Sequence, residues 1–532
     1  MNNEAKTSET SFEDIKRVLW AGADTFRGVI DAANYKEYVL SMLFIKYLDD
    51  TFAEYVENLE RKYAGNELRV ARAIRNLPFR LEENVRFRFL YEHRFDDKIG
   101  ALVNAALQGI EDLNGELRGI FRSIDFNSEA VFGNTQQKNA RLRTLLEDFR
   151  DLDLRPSHIR LEAAQTPADV IGGAFEYMVG EFASRAGQKA GSFFTPVMVS
   201  ELMARLVAPK NGETVYDPTC GSASLLIRAA KQAGDLEKVG IYGQEANGST
   251  YAMARMNLFL HNIHGADIQW GDTLAHPRHL DADGNLKRFD AIVANMPFSL
   301  DKWAEGFNPG GEQSVGREKK FKMSPPLDPW HRFDLGVPPA SKGDWAFLLH
   351  MLASLDEYGR MAAVVPHGVL FRGASEGAIR TEVVRDKNWL DTVIGLPANL
   401  FYGTSIPACI LFFRKNRTTR DVLFIDASGK DETGAPRFEK GKNQNKLTER
   451  HVEDILRAVA GRKDVPRFAH VAPPEELEGN GWNLNIPRYV DTFEEEAPID
   501  LAAVRREIAR LKDEVAEAEA ELEKHLKELG LE

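Results

Sequence analysis

Cysteine is almost missing from this 532-residue chain, which holds two, Cys220 and Cys409. Two thiols build neither a disulfide framework nor a cysteine-rich zinc site, no metal is expected, and such usage suits a reducing compartment. No run of about 18 apolar residues occurs, which excludes a bilayer-spanning helix. Met1 to Lys16 is polar and lacks an apolar signal core, so the chain is read as cytoplasmic. Neither a P-loop pattern nor a Gly-x-Gly-x-x-Gly fingerprint is present, which disfavours ATP hydrolysis on a P-loop and a dinucleotide site. Helix-turn-helix signatures, zinc-finger spacings, basic stripes and internal repeats are missing too, so unaided reading of a DNA sequence is not expected. Positive charge is in deficit: 68 Lys and Arg stand against 81 Asp and Glu, for a net charge of −13. That balance opposes a grip on nucleic acid by bulk charge, though not a local basic channel or a grip shared with a partner.

What is present is ordinary for a globular protein, 43% hydrophobic and 28% charged residues, over a length that suits about two to four folding units. Three textures follow one another. Residues 1–160 read as an all-helical domain, with apolar residues at three- and four-residue spacing from Phe12 to Trp20 and from Tyr35 to Tyr47. Residues 161–490 alternate short apolar runs with helical stretches, the pattern of βαβ units on a parallel sheet. Seven strands are expected there, at Thr214–Tyr216, Gly240–Gln244, Ile268–Trp270, Ala291–Ala294, Met361–Val365, Thr392–Leu396 and Cys409–Phe413. Helices are expected at Ser222–Gln232, Gly248–His261, Trp345–Leu355 and Ala378–Val384.

One connection breaks that rhythm. Trp303 to Lys342 runs for about forty residues, rich in Gly, Pro and Lys, longer than compact domains usually carry without a function. Its basic cluster, Arg317, Lys319, Lys320 and Lys322, suits an element that orders over DNA, with a solvated insertion as the alternative. Residues 491–532 form an acidic tail in which Leu501, Val504, Ile508, Leu511, Val515, Ala518 and Leu522 make a heptad seam. Such a seam predicts a coiled-coil-like helix that packs on a partner subunit or on the chain's own N-terminal helices. The tail holds 14 acidic and 6 basic side chains, −8 of the net charge, and leaves −5 for the preceding 490 residues.

The strongest local signal is Asn295-Met296-Pro297-Phe298, directly after the strand Phe289–Val293. At the carboxyl edge of a sheet, where doubly wound folds bind ligands, the Asn295 oxygen and the carbonyl of Met296 can accept both hydrogens of an exocyclic amine. Pro297 stiffens the turn, and Phe298 offers a face on which a heteroaromatic ring can stack. Upstream, Asp217-Pro218-Thr219-Cys220-Gly221-Ser222 is a strand, an acidic residue and a small-residue loop that opens a helix, where backbone and ligand approach closely. The next strand ends in Glu245, a carboxylate suited to ribose hydroxyls, and a third is followed by Asp272, suited to an adenine amine. Each piece alone reads equally well as a turn or a cap. Their order on successive strand ends points to an adenosine-containing cofactor.

That ordered set resembles the S-adenosylmethionine-dependent DNA amino-methyltransferases, and Gly191-Ser192-Phe193-Phe194-Thr195-Pro196 resembles the motif that opens their gamma arrangement. More closely, the chain resembles the modification subunit of type I restriction–modification systems. Leu19-Trp20, Arg27–Asp31 and Phe44–Tyr47 carry that likeness at the front; Asp344–Phe347, Val393–Pro397 and Asn485–Tyr489 carry it behind the catalytic motif. The resemblance implies an α/β, Rossmann-like, seven-stranded S-adenosylmethionine-dependent methyltransferase domain and methyl transfer to N6 of a flipped adenine in double-stranded DNA. It implies Asn295, Met296, Pro297 and Phe298 as catalytic residues. Asp217, Gly221 and Ser222 would line the methionine end of the cofactor, Glu245 would take the ribose and Asp272 the adenine, with Phe194, Thr195 and Pro196 closing over it. A separate specificity subunit would read the DNA between two copies of this chain, and a restriction and translocase subunit would complete the complex. Two positions depart from the family pattern: Met296 stands where Pro is usual, and Ala223 where Gly is common. The Asn-x-Pro-aromatic motif also serves N4-cytosine and protein-glutamine methylation, and a degenerate scaffold with this fold is a further alternative.

Overall fold

A computed structural model describes residues 9–28, 30, 32–64, 66–163, 165–185, 194–307, 323–401, 404–431, 433–442, 444–491 and 501–531. Met1–Val490 packs as one compact unit and Asp491–Glu532 as another. The first helix, Phe12–Phe26, starts where sequence chemistry dictates. Ser11 accepts from the Asp14 amide at 3.2 Å, and the Asp14 carboxylate accepts from the Ser11 amide at 3.0 Å. This reciprocal capping satisfies two otherwise orphaned donors. Helices Ala32–Lys62, Ile99–Leu113, Thr135–Phe149 and Pro167–Arg185 pack with it around an aromatic knot. In that knot Tyr38 meets Phe126 and Phe132 edge-on at 5.0 and 4.9 Å. The same core takes in Met253, Met256, Phe259 and Leu260 of the helix Gly248–Leu260, with Phe259 5.5 Å from Phe44. The helical front and the sheet region thus share buried surface.

The strands are β1 (Thr214–Asp217), β2 (Gly240–Glu245), β3 (Asp267–Trp270), β4 (Phe289–Asn295), β5 (Leu355–Pro366), β6 (Leu390–Gly395), β7 (Ala408–Arg414), β8 (Val422–Asp426) and β9 (Ala469–Ala472). They form one sheet in the order β3-β2-β1-β4-β5-β7-β6-β8-β9. β7 runs antiparallel between β5 and β6, β9 runs antiparallel to β8, and every other pairing is parallel. All seven expected strands are present, and the sheet exceeds the expected count by two. β8 is a short buried run, Val422-Leu423-Phe424-Ile425, whose neighbourhood lacks helical punctuation. β9, Ala-His-Val-Ala, has too little apolar contrast to stand out; pairing with β8 makes it a strand. Chain order reverses between β1 and β4, which opens a crevice at the carboxyl ends of these strands.

Flanks of the long connection are packed rather than solvated. Trp303 and Phe333 are 3% and 0% exposed, and the Trp303 indole donates to the Pro339 carbonyl at 2.9 Å. Arg317, Lys319, Lys320 and Lys322 lie outside the described residues. In the second unit, Leu501–Glu528 is one helix, and Val504, Ile508, Leu511, Val515 and Leu522 of its seam are 44–58% exposed. Among the described residues no helix is long and apolar enough to cross a membrane.

Candidate active site

Four strand tips build the site. β1 ends in Asp217, which is 1% exposed and whose Oδ1 accepts from the Thr219 amide at 2.9 Å. Burial pushes its carboxyl up to about 8, and the neighbouring Glu245 charge adds to that rise. The loop then turns through Gly221 (φ +55°) and Ala223 (φ +63°) into the helix Ser224–Lys231. The left-handed geometry at 223 explains why glycine is usual there: an L-residue with a Cβ holds it at about 1–2 kcal/mol. It also starts the helix two residues later than the apolar pattern suggests. Ala223 nevertheless closes the turn, donating its amide to the Cys220 carbonyl at 2.7 Å. Cys220 itself is buried with its thiol pushed well up, an inert packing residue.

Glu245 ends β2 and spans two loops. One oxygen accepts from the Gly221 amide at 3.0 Å, the other from the Asn247 amide at 2.8 Å. Burial raises its carboxyl. Gln244 beside it is fully buried, and this residue escaped the sequence reading. Its amide donates to the carbonyls of Gly271 (3.1 Å) and His276 (2.9 Å) and accepts from Arg278 at 2.9 Å, fixing the loop that carries Asp272. Asp272 is exposed; its Oδ1 caps the Leu274 and Ala275 amides at 2.9 and 3.3 Å, and its Oδ2 lies beside Gly306, 3.5 Å from where a Cβ would stand there. From the long connection, Arg332, wholly buried and paired with Asp328, donates to the carbonyls of Thr273 (3.3 Å) and Leu274 (2.7 Å). A charge buried at position 332 in a Gly/Pro-rich stretch carries no local pattern that would have revealed it.

At the tip of β4, Asn295 donates through Nδ2 to Thr195 Oγ1 at 3.1 Å, across 100 residues of sequence. Its Oδ1 accepts no hydrogen bond among the described residues. Met296 is 2% exposed and points into the core with the helix Asp344–Ser354, so the residue that replaces Pro is a packing plug that keeps its backbone carbonyl. Pro297 and Phe298 are half-buried, the Phe298 ring standing edge-on to Phe401 at 6.0 Å. Phe194 is 4% exposed and packs on Gly180, where an added Cβ would come within 3.1 Å of the ring. It therefore anchors the segment in the helical core, Thr195 reaches the Asn295–Phe298 turn, and Pro196 caps the helix Val197–Val207. Ser222 is buried, and its carbonyl accepts from Asn257 Nδ2 at 2.8 Å.

The crevice is rich in hydrogen-bond acceptors: three carboxyl groups stand on successive strand tips, those of Asp217 and Glu245 raised by burial, and among the described residues no basic side chain is bonded to them. Phosphates would find no cationic partner there. Ribose hydroxyls, an adenine amine and an α-ammonium group, all donors, fit it. A doubly wound sheet with the reversed strand β7 inserted between β5 and β6, this acceptor-rich crevice, and Asn-x-Pro-Phe at its edge together define a methyltransferase of the S-adenosylmethionine-dependent kind.

Comparison with known proteins narrows the class. The family described as N-6 DNA Methylase matches residues 166–497, and that described as HsdM N-terminal domain matches residues 15–149. The chain is 30% identical to the type I restriction enzyme MpnII methylase subunit of Mycoplasma pneumoniae, over 97% of this chain and 95% of that protein. It is 25% identical to the EcoKI methylase subunit of Escherichia coli, over 84% and 75% respectively. Among solved structures, the type I restriction-modification methyltransferase subunit of Streptococcus thermophilus aligns with a TM-score of 0.76 at 36% identity, covering 91% of this chain and all of that one. A modification subunit of a putative type I restriction enzyme from Vibrio vulnificus shares the fold, with a TM-score of 0.61 at 18% identity and coverage of 92% and 99%. The chain belongs to the N-6 DNA methylase family, among the methylase subunits of type I restriction enzymes, and is an adenine-specific DNA methyltransferase. That membership decides between the methyl acceptors which the Asn-x-Pro-aromatic motif left open.

Proposed function

We propose that this chain methylates N6 of an adenine flipped out of double-stranded DNA, at a site read by a separate specificity subunit. The observation that carries the reading is the Asn295–Thr195 bond. It occupies the donor end of the Asn295 amide and leaves the oxygen as an oriented acceptor at the tip of β4. N6 of adenine is conjugated and paired in a duplex, so the base must leave the stack, at a cost of a few kcal/mol. Asn295 Oδ1 and the Met296 carbonyl then accept the two amine hydrogens and return lone-pair character to N6. Phe298 stacks on the purine, and Pro297 keeps the turn from yielding. Bound in the acceptor-rich crevice, S-adenosylmethionine supplies the methyl group as an electrophilic sulfonium methyl. Asp217, Gly221 and Ser222 hold its methionine end, Glu245 the ribose and Asp272 the adenine, while Thr195 and Pro196 close the catalytic side. The protein contributes position and charge stabilisation, with no covalent enzyme intermediate.

Membership among the type I methylase subunits supports the partners. In this reading the chain works in the cytoplasm with a specificity subunit, two methylase copies flanking each one, and with a restriction and translocase subunit in the full complex. The exposed seam of Leu501–Glu528 is the docking element for the specificity subunit's helices.

Asn295→Ala tests the assignment in the complex with the specificity subunit. S-adenosylmethionine binding, read by calorimetry, should stay within about threefold of the parent, while methyl incorporation falls by two orders of magnitude or more. Full methylation by the variant would overturn the reading.

A further inference from the structure

Three segments of chain converge on one carboxylate that the reaction scheme leaves unused. Asp344, the first residue of the helix Asp344–Ser354, has a side chain 0% exposed. Its Oδ1 accepts from the Ser299 amide at 2.7 Å, and its Oδ2 lies 3.5 Å from the Ser299 hydroxyl. Arg372, from the turn after β5, donates to that Oδ2 at 2.9 Å and to Glu376 at 2.8 Å. Ser299 follows Phe298 directly and sits at φ +52°, a left-handed conformation that a residue with a Cβ keeps only when its surroundings impose it. Two backbone bonds close the base of the long connection beside it, Gly343 N–H to the Leu300 carbonyl and Lys302 N–H to the Ala340 carbonyl, both at 2.9 Å. Gly343 permits that approach, because a Cβ there would stand 3.2 Å from Trp303 Cβ.

A carboxylate at a helix N-terminus is already stabilised by the free helical amides and the dipole. Asp344 spends its inner oxygen on the amide of the residue that leaves the catalytic turn, and an ionised acceptor makes such a bond about twice as strong as a neutral one. Asn295 is held by Thr195 at the entrance of the turn; Ser299 is held by Asp344 at its exit. We propose that Asp344, pinned by Arg372, is a positioning residue that sets the direction of Phe298, and with it the placement of the target amine against Asn295. The proposal deepens the reading of this site as an adenine methylation centre and rests on it.

The test uses the chain in complex with its specificity subunit and two duplexes, one with adenine at the target position for methyl transfer and one with 2-aminopurine there, which lacks the N6 amine and reports base flipping alone. Methyl transfer by the parent is established first; its absence overturns the functional reading and this proposal with it, whereas an active parent with unaffected variants overturns this proposal alone. D344A removes the acceptor and D344N keeps an oxygen for the Ser299 amide. D344A should lose at least thirtyfold in kcat, keep its S-adenosylmethionine dissociation constant within threefold, and show a smaller 2-aminopurine emission rise on binding. D344N should stay within fivefold of the parent in all three. If D344A does not fold, D344E takes its place: it retains the charge and the Arg372 partner but displaces the carboxylate by one methylene, and should lose tenfold in kcat with cofactor binding unchanged. Turnover within threefold of the parent by D344A, or by D344E in its stead, overturns the proposal. So does loss of cofactor binding in step with kcat, which marks a merely structural residue.

Discussion

Asp217 carries the site's most unusual proton. In an unfolded chain an aspartate titrates near 3.9, whereas burial at the tip of β1 pushes this one up to about 8. The folded state therefore holds a proton that the unfolded state has released across that interval. The stability it contributes is fully present below the unfolded value and is lost as pH rises through the folded one. Asp217→Asn, close in shape to the protonated acid, should remove that dependence. Urea midpoints of parent and variant measured between pH 5 and 7.5 should diverge by about one proton, or ~1.4 kcal/mol per pH unit. Glu245, raised by the same burial, stays in both proteins and cancels in the comparison. Parallel midpoint curves would contradict it. The residue type was legible in the sequence, since a carboxylate at a strand end before a small-residue loop is a recognisable pattern. The protonation was not: it depends on how much water the folded crevice excludes.

Among the elements, two of the motifs behind the catalytic turn turn out to be one packing unit. Gly395, in Val393–Pro397, lies on β6, and a Cβ there would come within 2.6 Å of Cδ1 of Ile486, in Asn485–Tyr489. Phe424 of β8 stacks on Tyr489 at 3.8 Å, so this C-terminal turn seals the sheet beside β6 and β8. Gly395→Ala should destabilise the protein by about 1–3 kcal/mol, the usual cost of overpacking a core. Adding Ile486→Val, which deletes the crowded methyl, should recover most of it. Denaturant midpoints of the two single variants and the double variant measure that coupling; additive losses would refute the contact as its cause. Seven strands were readable because each is an apolar run set off by turns or helices. β8 and β9 were not, since a four-residue strand such as Ala469–Ala472 is made by its neighbour rather than by its own propensity. The same holds for Arg332, whose buried grip on the Thr273 and Leu274 carbonyls depends on a chain reversal no local spacing encodes.

On the scale of the whole molecule, charge and fold divide alike. The tail unit, Asp491–Glu532, holds −8 of the net charge of −13, so the body that must admit DNA carries −5. The body builds three buried apolar cores and exposes single apolar side chains such as Leu68 and Phe95, whereas the helix Leu501–Glu528 turns a continuous row of them to solvent. A lone helix gains nothing from that seam, and with the proposed docking role its removal has a defined consequence. A chain that ends at Asp500 should bind S-adenosylmethionine with the parent's affinity and fail to co-purify with the specificity subunit. Retention of that subunit at parental stoichiometry would move the docking surface elsewhere.

Local chemistry by itself determined the helical front, the seven-stranded core of the sheet, the order of acidic strand tips and the Asn-x-Pro-Phe turn. Each of these is written in neighbouring residues as periodicity, punctuation or motif. Tertiary structure alone decided which side chains cooperate. Thr195 meets Asn295 across 100 residues, Gly221 is tied to Glu245 across 24, and Ser299 is held by Asp344 across 45. A hydrogen bond forms between groups brought within about 3 Å, and in a doubly wound sheet that proximity is set by strand order and crossover, not by distance along the chain.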